Sequence, residues 1–186
     1  MSDSSAPISD AQASSVQGQR EGIGPDWYEV IVEIPQGSRN KYEIDHDNGA
    51  AWLDRHLYST TVYPTEYGFF PDTLAEDGDP LDALVLLEAP TFPGCHIRAR
   101  PIAVLEMNDE AGRDLKVLCV SSGDKRWDCY QDVSDVADHM LAEIKHFFTV
   151  YKDLEPGKRS QVGDWGAREV AIAAIADARS RFVTEG

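Results

Sequence analysis

Basic residues are scarce in this chain. Over 186 residues, 17 Lys and Arg stand against 33 Asp and Glu, a net charge of −16. That deficit argues against a nucleic-acid binder, which needs Lys and Arg to displace counterions from phosphates. It argues equally against adsorption to an anionic membrane. Cysteine is rarer still: Cys95, Cys119 and Cys129 are an odd number without C-x-x-C spacing. They read as free thiols in a reducing cytoplasm, and no zinc site built from them is expected. There is no run of about 18 apolar residues, so no transmembrane helix is expected. Met1 to Gly24 has no basic stretch followed by an apolar one, so no secretory signal is expected either.

What is present suffices for one domain with a proper core, since 42% of the residues are apolar. Residues 1–24 are rich in Ser, Ala, Gln and Gly and lack aromatics, which predicts a disordered N-terminal tail. Residues 25–186 are then expected to form a single domain. Alternation over 27–34 puts Tyr28, Val30, Val32 and Ile34 on one face of a strand. A second strand over 40–45 turns at Asn48-Gly49 into Ala51-Trp52-Leu53. Further short strands are expected at 60–63, 67–70, 82–87, 97–106 and 115–120, punctuated by Gly and Pro. The period changes after Asp135. Val136, Met140, Leu141, Ile144, Phe147, Phe148 and Tyr151 mark an amphipathic helix that ends before Pro156-Gly157. A second helix is expected over 166–182, with Asp164 as its cap and Val170, Ala174, Ile175, Ala178 and Phe182 on one side. The class is α+β, a small β-barrel with helices against it.

Acidic residues cluster twice. Asp77-Gly78-Asp79-Pro80-Leu81-Asp82 puts three carboxylates at the mouth of the apolar strand Ala83 to Leu87. Hard oxygen ligands so arranged suit Mg²⁺ or Mn²⁺. On spacing alone the segment reads equally as a solvated turn, because Asp-Gly and Asp-Pro are common turn pairs. An EF-hand loop is excluded: its sixth position would be Asp82 rather than Gly, and the loop would consume the strand. Asp109-Glu110-Ala111-Gly112-Arg113-Asp114-Leu115-Lys116, taken alone, reads as a charged hairpin tip. Lys41 and Glu43, two apart on a strand, read in isolation as an exposed face. Lys152 beside Tyr151 is an ordinary Lys for a last helical turn.

Together these blocks have more meaning. Glu33 in Val-Glu-Ile-Pro, Lys41-Tyr42-Glu43, Asp54-Arg55, Tyr63-Pro64 with Tyr67-Gly68, the segment 77–82, Asp109-Glu110 with Asp114 and Lys116, and His146-Phe147-Phe148 followed by Tyr151-Lys152-Asp153-Leu154-Glu155 resemble the family I soluble inorganic pyrophosphatases of bacterial type. The resemblance runs from about Tyr28 to about Phe182. It implies a closed OB-like five-stranded β-barrel with flanking α-helices, and hydrolysis of pyrophosphate to two orthophosphates by a metal-activated water. It implies Mg²⁺ held by Asp77, Asp82 and Asp114, with further ions on Asp109 and on Glu33 or Glu43, and Mn²⁺ or Zn²⁺ as candidate substitutes. Asp79 would be the base near the attacking water, a role for which Asp114 is the alternative. Lys41, Arg55, Tyr67, Lys116, Tyr151 and Lys152 would contact phosphate, and Tyr63 would face the substrate or stand behind it. The resemblance also implies a homo-oligomer, a hexamer, although Val150 stands where many bacterial members carry His near a subunit contact.

The charges of this grouping are consistent with several metal ions. Glu33, Glu43, Asp77, Asp79, Asp82, Asp109 and Asp114 outnumber Lys41, Arg55, Lys116 and Lys152 by three. Pyrophosphate adds about three to four negative charges, so neutrality needs on the order of three to four divalent ions. No Ser, Cys or His nucleophile is required, and His46, His56, His96, His139 and His146 are scattered.

Overall fold

The computed structural model describes residues 27–185, so the tail expected over 1–24 lies outside the described residues. The strands are β1 (Tyr28–Ile34), β2 (Asn40–Ile44), β3 (Ala51–His56), β4 (Glu66–Phe69), β5 (Asp82–Leu86), β6 (His96–Asp109), β7 (Lys116–Ser121) and β8 (Ser160–Ala167). Two helices follow the barrel in the chain, α1 (Asp138–Val150) and α2 (Arg168–Glu185). β1 pairs with both β4 and β6, and the order β1-β4-β5-β7-β6 returns to β1. The ring is the closed, OB-like five-stranded barrel that the sequence led us to expect. β2 and β3 form a separate hairpin.

Local chemistry explains the main elements. Val30, Val32 and Ile34 are fully buried, as the alternation in β1 requires. The continuous apolar run of β5 is buried on both faces. Leu84 and Leu86 pack with α1 residues Ile144, Phe147 and Phe148. Ala83 and Val85 pack with Ala171, Ile175 and Ala178 of α2. A strand enclosed on both sides needs no polar face. At Gly68 the chain comes very close to β1: a Cβ there would lie 2.0 Å from the Ile31 carbonyl oxygen. Gly49 closes the β2–β3 turn at φ +73, and the Asp45 carboxylate accepts from the Asp47 and Asn48 amides beneath it.

Several expectations need correction. Residues 60–63 form no strand; Pro64 lacks a donor, and Tyr63 instead exchanges backbone hydrogen bonds with Ser38 and Gly37. The first helix starts at Asp138 rather than 136, because Asp132 and Asp135 close a capping box on a short 3₁₀ turn over Val133–Asp135. Residues 160–167 form β8, which pairs with the second half of β6, so the second helix starts at Arg168 rather than 166. Asp164 therefore caps nothing; it lies in the strand and pairs with Lys145, while Asp132 accepts from the Arg168 amide. On that helix the buried stripe is Ala171, Ile175 and Ala178, and Val170 and Phe182 are exposed. The longest strand also exceeds its expected span of 97–106. β6 runs to Asp109 because β1 and β8 divide its length between them, with a register shift at Pro101.

Candidate active site

The site is built on the barrel's parallel pairing, where β5 and β7 place Asp82 opposite Lys116. Lys116 Nζ lies 2.5 Å from Asp82 Oδ2 and 2.9 Å from Asp114 Oδ1. Lys116 is only 1% exposed. Burial alone would depress its pKa, but Asp82 and Asp114 reverse the balance and hold the ammonium charged well above its usual range. The faces of Tyr67 and Phe148 lie 5.4 and 5.1 Å from the same nitrogen. Tyr67 donates its hydroxyl to Asp82 Oδ2 at 2.6 Å. Burial, partly offset by Lys116, raises the Asp114 carboxyl to about 6.

Two loops bring further carboxylates. Gly78 at φ +96 lets residues 75–79 turn tightly, with the Ala75 amide donating to the Asp79 carbonyl and the Asp79 amide to Asp77 Oδ1. Burial raises the Asp77 carboxyl above its usual range. The β6–β7 tip turns at Gly112, φ +130, and carries Asp109 and Glu110. Lys152 Nζ is 2.9 Å from Asp109 Oδ2 and 3.9 Å from Glu110. Burial opposes ionisation of Asp109, but Lys152 outweighs it and lowers that carboxyl. Opposite, Lys41 meets Glu43 at 2.5 Å and Asp54 at 3.4 Å. Arg55 presents Nε and Nη2 to the two oxygens of Glu155, at 3.3 and 2.9 Å.

Thirteen of the fourteen residues predicted from the sequence line one cavity of about 420 Å³: Lys41, Glu43, Arg55, Tyr63, Tyr67, Asp77, Asp79, Asp82, Asp109, Asp114, Lys116, Tyr151 and Lys152. The fourteenth, Glu33, lies in an adjoining cavity of about 350 Å³ that shares Lys41, Glu43, Tyr67, Asp79 and Asp82 with the first. There Glu33 accepts from the Ile44 amide, and burial raises its carboxyl to about 7. The acids do not meet as a ready-made cluster. Among the described residues no three carboxylate, imidazole or thiol groups converge on one point, and lysines stand between them.

Three charged residues of the main cavity have no role assigned from the sequence: Asp54 and Glu110, which stand there only as neighbours of Arg55 and Asp109, and Lys158. Asp54 is the extra residue of a β-bulge, since Lys41 faces Arg55 while Tyr42 faces Leu53. A strict period of two would have turned it away from Arg55. Lys158 comes from the turn after Pro156-Gly157 and pairs with Glu110. That contact joins residues 48 apart, which no local pattern reveals.

Comparison with known proteins agrees with this geometry. The profile of the family described as inorganic pyrophosphatase matches residues 30–183. A protein of Streptomyces coelicolor named inorganic pyrophosphatase is 54% identical over 159 residues, covering 86% of this chain and 98% of its own. One of the same name from Methanosarcina acetivorans is 51% identical over 83% of this chain and 91% of its own. The crystal structure of inorganic pyrophosphatase from Thermus thermophilus superposes with a TM-score of 0.84 at 44% identity, covering 87% of this chain and 94% of that one. The chain therefore belongs to the inorganic pyrophosphatases, as a family I enzyme of the bacterial type that hydrolyses pyrophosphate.

Proposed function

We propose that this enzyme hydrolyses pyrophosphate to two orthophosphates with several Mg²⁺ ions, and that residues 25–186 are its single catalytic domain. One observation carries the reading. Eight acids and five bases line a single cavity, an excess of three negative charges. A trianionic substrate does not enter such a cavity without cations. The donor set fits them: the acids offer hard carboxylate oxygens, and burial, the main cause in each case, raises the carboxyls of Asp77, Asp114 and Glu33, so a cation that favours their ionised form would be held there. Asp77, Asp82 and Asp114 would hold the core ions, with Asp109 and Glu33 taking others and Glu43 as the alternative to Glu33. Bound there, divalent ions supply charge neutralisation and acidify a water.

The chain's own groups do the rest. Asp79 spends its amide on Asp77 and leaves its carboxylate facing the cavity, so it is the proposed base for the attacking water. Asp114, held by Lys116, is the alternative. Lys41, Arg55, Lys116 and Lys152 place fixed positive charge where the leaving phosphate gains negative charge. The hydroxyls of Tyr67 and Tyr151 add neutral donors, and burial raises the pKa of both, so they keep their protons. Tyr63, 2% exposed and edge-on to Tyr67 at 5.5 Å, supports that ring from behind.

A cytoplasmic homo-oligomer, a hexamer, completes the proposal, with no nucleic-acid or membrane partner; light scattering tests its size. Among the described residues, no helix is long and apolar enough to cross a membrane. The decisive experiment replaces Asp82 and Asp114 with Asn, singly. Each variant should fold, lose most phosphate release and bind Mg²⁺ more weakly. Normal turnover by both would overturn the metal assignment.

A further inference from the structure

Two loops carry the proposed metal ligands Asp77 and Asp114, and a pair of side chains on the outer surface ties those loops together. Glu76 immediately precedes Asp77, and Arg113 immediately precedes Asp114. Arg113 Nη1 lies 3.2 Å from Glu76 Oε1, and its Nη2 lies 3.6 Å from Glu106 on β6. The 75–79 turn is closed by its own hydrogen bonds, Ala75 to Asp79 and Asp79 to Asp77, so its parts move together. A second anchor holds the same loop from α2. The Leu74 amide donates to the Ala178 carbonyl, and Arg181 Nε donates to the Leu74 carbonyl at 2.9 Å. Arg113, Glu76 and Arg181 all line a small cavity of about 120 Å³ behind the loops, which shares no residue with the substrate cavity.

We propose that Glu76, Arg113 and Arg181 are positioning residues that set the spacing of Asp77 and Asp114 and so tune divalent-metal affinity. The inference rests on the metal reading of those two aspartates. Its logic is that of outer hydrogen bonds that orient metal ligands they do not themselves join. Arg113 and Glu76 are 45% and 49% exposed, so the strap is weak. An exposed ion pair of this kind shifts an equilibrium by about two- to fivefold.

Electrostatics makes the test unambiguous in sign. Removing the positive charge of Arg113 beside a metal site should strengthen cation binding if charge alone matters. Losing the strap should weaken it. Calorimetric titration of the full chain with MgCl₂ alone, without substrate, distinguishes the two. Arg113→Gln is expected to weaken Mg²⁺ binding about two- to fivefold. Arg181→Met, farther from the ligands, should act in the same direction. The charge-reversed pair Glu76→Arg with Arg113→Glu restores the 76–113 contact but sets a carboxylate against Glu106, so it should recover part of the affinity that Arg113→Glu alone loses, which a merely structural effect on folding would not do. Equal or tighter Mg²⁺ binding by Arg113→Gln overturns the inference. No Mg²⁺ binding by the unmodified chain would instead overturn the metal reading beneath it.

Discussion

Asp82 and Lys116 are register partners across the parallel β5–β7 pair, and their side chains meet at 2.5 Å, the lysine buried and the aspartate partly open to the cavity. The ammonium therefore occupies the point at which the carboxylates of Asp82 and Asp114 come nearest to a common cation. This relationship sets the stability of the metal-free protein. Removing one partner of a buried ion pair leaves the other charges uncompensated, at a cost of about 3–5 kcal/mol. Lys116→Met, which keeps most of the volume, should lose about that much stability in urea at about pH 8 without metal. Mg²⁺ should return part of it, because a bound divalent ion replaces the missing charge. Unchanged stability, or a loss that Mg²⁺ leaves untouched, would contradict the assignment.

A pH dependence follows from the two carboxyls with the largest shifts. Burial raises Glu33 from 4.5 to about 7 and Asp114 from 3.8 to about 6. Between those limits the folded chain keeps protons that the unfolded chain releases. Stability of the metal-free protein should therefore fall as pH rises through this window and level off above about 7. Asp109 is lowered instead, so its contribution is lost only as pH falls below the normal carboxylate range. Lys116, being raised, adds slope only near and above the ordinary lysine range. Mg²⁺ binding should expel the Glu33 and Asp114 protons, more at about pH 6 than at about pH 8. Titrations in buffers of different ionisation enthalpy measure that release. Metal-free stability that rises between about pH 5 and 7 would contradict the sign.

The barrel was legible because its strands obey simple rules. The alternation of β1 and the unbroken apolar run of β5 state their burial directly. Element ends were less legible wherever a tertiary contact decided them. β8 has few β-branched residues and two glycines, and it is a strand because β6 offers it an edge. Asp132, 36 residues away, supplies the hydrogen bond expected from Asp164 at the start of α2. The site divides in the same way. Asp77, Asp79 and Asp82 are close in sequence and stood out. Asp54 and Glu110 stood in the motif blocks without a role and Lys158 did not stand out, because their places in the cavity depend on a bulge and on loop pairing.

Arg55 and Glu155 show how such a distant contact bears on substrate binding. They are 100 residues apart in sequence and join as a two-pronged pair, with Glu155 only 7% exposed. Asp54 takes the remaining nitrogen, Nη1, of the same guanidinium. Glu155 thus fixes the plane of Arg55 and keeps it from folding wholly onto Asp54. Glu155→Gln preserves shape but loses the charged fork, so Arg55 should sample more orientations. KM for pyrophosphate should rise about three- to tenfold, equivalent to about 0.7–1.4 kcal/mol, with a smaller change in kcat. Arg55→Lys should cost more, because an ammonium reproduces neither the fork nor its fixed plane. Steady-state kinetics at saturating Mg²⁺ separates the two parameters. If Glu155→Gln lowered kcat and left KM unchanged, Arg55 would be acting on the reacting groups rather than on substrate binding, and the orienting role of Glu155 would fail.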